Sequence, residues 1–179
     1  MRHDGRVTPS APAFLESVAA EIEAHVGLAG WDLPPSLFAL VRAAQFAADE
    51  PETAARLGLD GAVGDALTPI EQDELPDGAL DEVLAGIAWP DSVAGCALSQ
   101  EIVLLPPSAE AEVADGPAGV SAAISHPERR EARLVVAVLR GGESAAVLRL
   151  RGTDGADDEL LTGPDLAPNL VEALLATLT

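Results

Sequence analysis

"RREARLVVAVLRGGESAAVLRLR", residues 129–151, reads as a β-hairpin and holds six of the ten arginines in the chain. Strand side chains alternate between faces with a period of two. Leu134, Val136 and Val138 therefore share a face on the first arm, and Ala146, Leu148 and Leu150 on the second. A two-residue Gly141-Gly142 turn sets Leu134 against Arg149 and mixes apolar with charged positions. A three-residue loop at 141–143, with a glycine in the left-handed region, sets Leu134 against Leu150, Val136 against Leu148 and Val138 against Ala146. Only the second register keeps one face apolar, so it is the one expected. It turns Arg133, Arg149 and Arg151 together to the other face, with Arg133 directly across from Arg151.

Like charges across a strand pair are destabilising unless something negative lies beside them. The internal reading supplies that charge from Glu101 on a neighbouring strand and from the 30 acidic residues of the chain. The functional reading makes Arg133, Arg149 and Arg151, with His126 nearby, an anion- or partner-binding site on an open sheet face. The internal reading is favoured, because ion-pair networks are common outside functional sites.

Outward from the hairpin, residues 1–10 read as a flexible tail and residues 11–179 as a single domain. From Pro12 on, Phe14, Leu15, Val18, Ile22 and Val26 recur at helical spacing, with Glu16, Glu21 and Glu23 assigned to the solvent side. Pro34 and Pro35 exclude helix, and the wholly apolar run Leu37 to Val41 reads as a strand buried on both faces. Helices must then cover both sides, or a second subunit one of them. "DEPETAARLG", 49–58, is a short helix with Pro51 in its first turn. "TPIEQ", 68–72, is either a capping box or an extended edge segment, and the extended reading is preferred. "DGALDEVLAGIAWP", 77–90, is an amphipathic helix, and "SVAGCALSQEIVLLP", 92–106, a long strand. Residues 107–128 read as a loop, "GTDGADDE", 152–159, as a polar link, and Asp165 as the cap of a last helix built on Leu170, Val171, Leu174, Leu175 and Leu178. This order gives an α+β fold: a mainly antiparallel sheet of four to five strands with helices packed on it.

A formal net charge of -20 repels nucleic acid and anionic lipid at long range, so neither is an expected partner. No run approaches the roughly 20 apolar residues of a membrane helix, and "MRHDGRVTPS" lacks the apolar core of a signal peptide. Ten arginines and no lysine point to the coding bias of a GC-rich genome. One cysteine, Cys96, allows no internal disulfide and fits a reducing cytoplasm. Cys96 alternates in phase with Leu98 and Ile102, as a core thiol does, not a nucleophile. His3, His25 and His126 show no metal-ligand spacing, and "DGADDE" falls short of a calcium loop. There is no phosphate-binding glycine loop and no nucleophile elbow. No catalytic residue, metal or cofactor is assigned. Trp31 and Trp89, each just before a strand, read as plugs at layer junctions.

"GWDLPPSLFALV" (30–41), "IAWPDSVAGCALSQEIVLLP" (87–106), "HPERREARLVVAVLR" (126–140) and "TGPDLAPNLVEALLATL" (162–178) resemble a family of small uncharacterised actinobacterial cytoplasmic proteins. The resemblance implies a bacterial, cytoplasmic origin, and a basic residue in relatives where Ser36 stands here. It implies no reaction or ligand. The function expected is a non-enzymatic cytoplasmic binding or scaffold domain, with a homodimer motivated by the two-sided apolar strand. The rival is an enzyme or small-anion sensor that uses the arginine-lined sheet face.

Overall fold

The computed structural model describes residues 13–61, 66–105, 127–163 and 166–179. Along the chain these form α1 (Ala13–Gly27), β1 (Ser36–Arg42), α2 (Ala43–Asp49), α3 (Pro51–Arg56), β2 (Leu67–Glu71) and α4 (Leu80–Ala85). There follow β3 (Gly95–Leu104), β4 (Arg130–Leu139), β5 (Ser144–Leu150), β6 (Glu159–Thr162) and α5 (Pro168–Ala176). The strands make one sheet in the order β2-β1-β3-β4-β5-β6, every neighbouring pair antiparallel. The α+β class is as expected, but the sheet has six strands, not four to five. The added strand, β6, is four exposed residues, "ELLT", with no alternation to mark it at the end of the polar link.

The hairpin keeps its expected faces and changes its partners. Leu134 stands opposite Leu148, Val136 opposite Ala146 and Val138 opposite Ser144. The Leu139 N–H donates to the Glu143 carbonyl, and the Gly142 N–H to that of Leu139, so the three-residue loop is 140–142 and not 141–143. In such a loop the last residue is left-handed, and only the earlier placement puts a glycine there: Gly142 has φ +99°. Moving the loop by one residue moves each pairing by two, which preserves the face of every side chain. Arg133 therefore faces Arg149 rather than Arg151, a correction to the expected register. The Arg151 N–H instead donates to the Glu131 carbonyl across the ladder.

At the centre of the sheet both faces are buried. On one, Phe38, Leu40, Ala97, Val135, Ala137 and Val147 pack beneath Leu15, Val18, Ala19, Ile22 and Val26 of α1. On the other, Leu37, Leu98, Leu134, Val136, Val138 and Leu148 pack against Leu84 of α4 and Leu174 and Leu178 near the chain end. Ala39 and Val41 of β1 continue that face under Phe46 and Ala54, from α2 and α3. Each large aliphatic side chain so buried contributes roughly 1.5–3 kcal/mol before entropy is charged against it. The two-sided burial of Leu37 to Val41 is thus satisfied by helices of its own chain.

Smaller elements follow local chemistry. Pro51 has no N–H and disfavours helix at Glu50, whose φ -131° and ψ 63° break α2 from α3. The helix α2 went unforeseen, since Phe46 is its one large anchor. Pro69 sits in β2, at the end of the sheet, where no second neighbour needs its missing donor. The last helix starts at Pro168 with Ala167 at its cap and no side-chain cap bond; Asp165, expected to cap it, lies outside the described residues. The expected tail at 1–10, most of the expected loop at 107–128, and His126 lie outside them too.

Candidate functional site

The cross-strand register aligns Glu101 of β3, Arg133 of β4 and Arg149 of β5 in one row. This row lies on the face covered by α1, so the expected open arginine face is a helix–sheet interface. From α1 descends Glu23, one residue after Ile22 and four after Ala19, both in the buried stripe. Its expected place on the solvent side is corrected: Glu23 is 1% exposed. The clue in the sequence is its position within that stripe, beside an apolar residue on either helical turn.

Arg149 grips Glu23 with two parallel hydrogen bonds, Nε to Oε1 at 2.6 Å and Nη2 to Oε2 at 2.8 Å. Arg133, 1% exposed, donates from Nη1 to the same Oε1 at 3.2 Å and from Nη2 to the Gly30 carbonyl. Its Nη2 also lies 3.5 Å from Glu101 Oε1, an electrostatic contact without a hydrogen bond. Glu101 Oε2 accepts from the Leu33 N–H at 3.2 Å, tying the turn before β1 to the same cluster. Trp31 in that turn lies against two guanidinium groups, 4.6 Å from Arg133 and 5.3 Å from Arg151. Arg151 pairs with Glu131 at 2.7 Å and Asp32 at 3.7 Å.

Each of the three arginines therefore has a carboxylate at hand: Glu23 serves two, Glu101 adds to Arg133, and Glu131 and Asp32 serve Arg151. The hydrogen bonds to Glu23 raise the pKa of the Arg149 guanidinium above its usual range, against the opposing effect of burial. Chemically the arrangement is a clamp that fixes α1 and the Trp31 turn on the sheet. His126 lies outside the described residues.

A second feature escaped the sequence reading. Between β1, β2, α2, α3 and the Trp89 turn opens a cleft of about 430 Å³. Its apolar lining includes Val41, Phe46, Ile70, Trp89 and Val93, and its polar lining Glu50, Thr53, Gln72 and Ser92. The volume falls within the roughly 300–1,000 Å³ of small-molecule sites. Trp89 is steadied by its indole N–H, which donates to Thr177 Oγ1 at 3.0 Å. No pattern in the sequence announces the cleft, because its lining comes from segments more than 50 residues apart in some pairings, as Val41 and Val93 are.

Cys96 and Arg140 serve the scaffold. Cys96 is buried against Thr177 and the Leu174 carbonyl, and burial pushes its thiol pKa up. Arg140, at the hairpin loop, donates to the carbonyls of Val93, Trp89, Pro90 and Leu178. Asp81 and Glu82 are exposed on α4. Among the described residues no group of three or more His, Cys, Asp or Glu could hold a metal ion. No helix among them is long and apolar enough to cross a membrane.

Compared with known proteins, the chain matches no curated protein and no solved structure. The family model described as PPA1309-like protein matches residues 15–179, which include α1 from Leu15 on with its Glu23, every strand of the sheet and the described lining of the cleft. The chain belongs to the PPA1309-like protein family.

Proposed function

We propose that this protein is a non-enzymatic binding domain of the actinobacterial cytoplasm, and that the cleft beside Trp89 is where its ligand sits. One observation carries the reading: the cleft combines a floor of Val41, Phe46, Ile70 and Val93 with a sparse polar rim. Among the described residues its lining holds a single titratable side chain, Glu50, whereas acid–base catalysis needs a positioned donor and acceptor. The one cysteine, buried and in no disulfide, and the arginine-only basic set accord with a cytoplasmic, GC-rich setting. The arginines that motivated a sensor of small anions are engaged by Glu23, Glu101, Glu131 and Asp32.

Thermal-shift screening with apolar and aromatic compounds, alongside phosphates and carboxylated metabolites, tests the reading. A ligand at a hundred times its Kd adds about 2.7 kcal/mol, which for a domain of this size raises Tm by roughly 5–10 °C. Apolar compounds are expected to produce such a shift and to alter Trp89 fluorescence. A shift produced only by anions, and abolished by Arg151→Met, replaces the cleft with the arginine site; no shift by any compound overturns the cleft. A homodimer, the scaffold side of the proposal, is tested by sedimentation at micromolar concentration, where a species of 18.3 kDa removes it.

A further inference from the structure

We propose that the ligand of this cleft is an apolar body carrying one protonated amine, with the ammonium lodged on Glu50. The inference rests on the cleft reading above and names the chemistry that the cleft selects.

Glu50 occupies the elbow between two short helices. Its backbone N–H donates to the Phe46 carbonyl at 2.8 Å, and its own carbonyl accepts from the Ala54 N–H at 2.8 Å. Both helices thus hold its backbone, and Pro51 keeps the joint out of helical geometry. The side chain that this elbow presents is exposed and lines the cleft. Among the described residues no Arg or His lies within ion-pair distance of its carboxylate, although most acids of the arginine cluster are paired.

The other lining groups set the rest of the specificity. Thr53, Gln72 and Ser92 are neutral, and among the described residues no Arg or His lines the cleft. The Gln72 amide is turned back on the Ile70 carbonyl at 2.9 Å, and the Trp89 N–H is committed to Thr177. Thr53 Oγ1 already accepts from Arg56. Among the described residues Glu50 is therefore the lining group with both charge and free acceptor capacity. An anion meets one like charge at the rim and a net charge of -20 around it. A cation meets attraction from both, and an apolar body removes Leu57, Ile70 and Trp89 from water.

Three probes with one body separate these contributions: 4-phenylbutylamine, 4-phenylbutanol and 4-phenylbutyrate, titrated by calorimetry and Trp89 fluorescence into the wild type and Glu50→Gln. The amine is expected to bind about fivefold tighter than the alcohol, the upper range for a rim ion pair, and the butyrate weakest. In Glu50→Gln, an exposed position that leaves folding intact by circular dichroism, the amine should fall to the level of the alcohol while the alcohol is unchanged. Equal binding of amine and alcohol by the wild type overturns the inference and leaves the cleft standing. An amine preference that survives Glu50→Gln also overturns it, because the general negative field then suffices. Binding of none of the three overturns the cleft itself, and the inference with it.

Discussion

Glu23 of α1 and Arg149 of β5, 126 residues apart, meet in a bidentate pair at 2.6 and 2.8 Å. The carboxylate has almost no contact with water, and Arg133 shares it from the neighbouring strand. Three elements are thereby joined at one side chain, and the first helix of the chain is fixed on the sheet by it.

Removal of that carboxylate leaves Arg133 buried without its principal counter-charge. Glu23→Ala is expected to lower stability by about 3–5 kcal/mol, read from the urea midpoint at constant m-value. Arg149 contributes less to that loss, since it can turn toward solvent. The double variant Glu23→Leu/Arg133→Met removes the need for the pair and is expected to recover much of the loss. A cost below about 1 kcal/mol for Glu23→Ala contradicts the clamp.

Arg140 satisfies the carbonyls of Trp89, Pro90 and Val93 before β3 and of Leu178 after α5. Arg140→Met retains the aliphatic stem but drops these bonds, at an expected cost of about 1–3 kcal/mol. Arg140→Lys should restore little, because an ammonium cannot fork to carbonyls on several sides. Chemical denaturation of the two variants beside the wild type gives the answer; full rescue by lysine contradicts the role assigned to the guanidinium.

Cys96 couples stability to alkaline pH. Burial raises its thiol pKa in the folded chain, with bonds to Thr177 opposing the effect. Between the unfolded thiol's value, about 8.5, and the raised folded value, the folded state binds more protons than the unfolded one. Stability is therefore fully present below about pH 8.5 and falls as pH rises, by up to about 1.4 kcal/mol per pH unit. Arg149, also raised, works in the same direction at far higher pH. Unfolding free energies of wild type and Cys96→Ala across pH 8–10 should diverge accordingly, and thiol labelling of the native protein should proceed only at the opening rate. Rapid labelling at neutral pH shows the thiol accessible and ends this account.

Gly95 opens β3 with no room for a side chain. A Cβ there falls 2.1 Å from the Val138 carbonyl oxygen on the paired strand. Gly95→Ala must push two central strands apart and is expected to lose more than about 4 kcal/mol, enough to empty the soluble fraction. Circular dichroism and expression yield report it; an alanine variant within about 1 kcal/mol of wild type shows that the β3–β4 spacing is looser.

The sequence by itself determined what depends on near neighbours. Alternation assigned Leu134, Val136, Val138, Ala146, Leu148 and Leu150 to a common buried face, and all six are buried. Prolines placed the start of β1 and the edge position of β2 correctly, because a missing donor and a restricted φ act on the residue that carries them. The register of the hairpin was legible only to within two residues, since such a slip keeps every side chain on its face. Tertiary structure alone decided what lies over the arginines. A helix from the far end of the chain brings Glu23 to them, and helical periodicity states which residues share a stripe without stating what that stripe will meet. The cleft belongs to the same category: its walls are apolar for reasons of packing, and only the arrest of α2 and α3 around Glu50 leaves them unfilled.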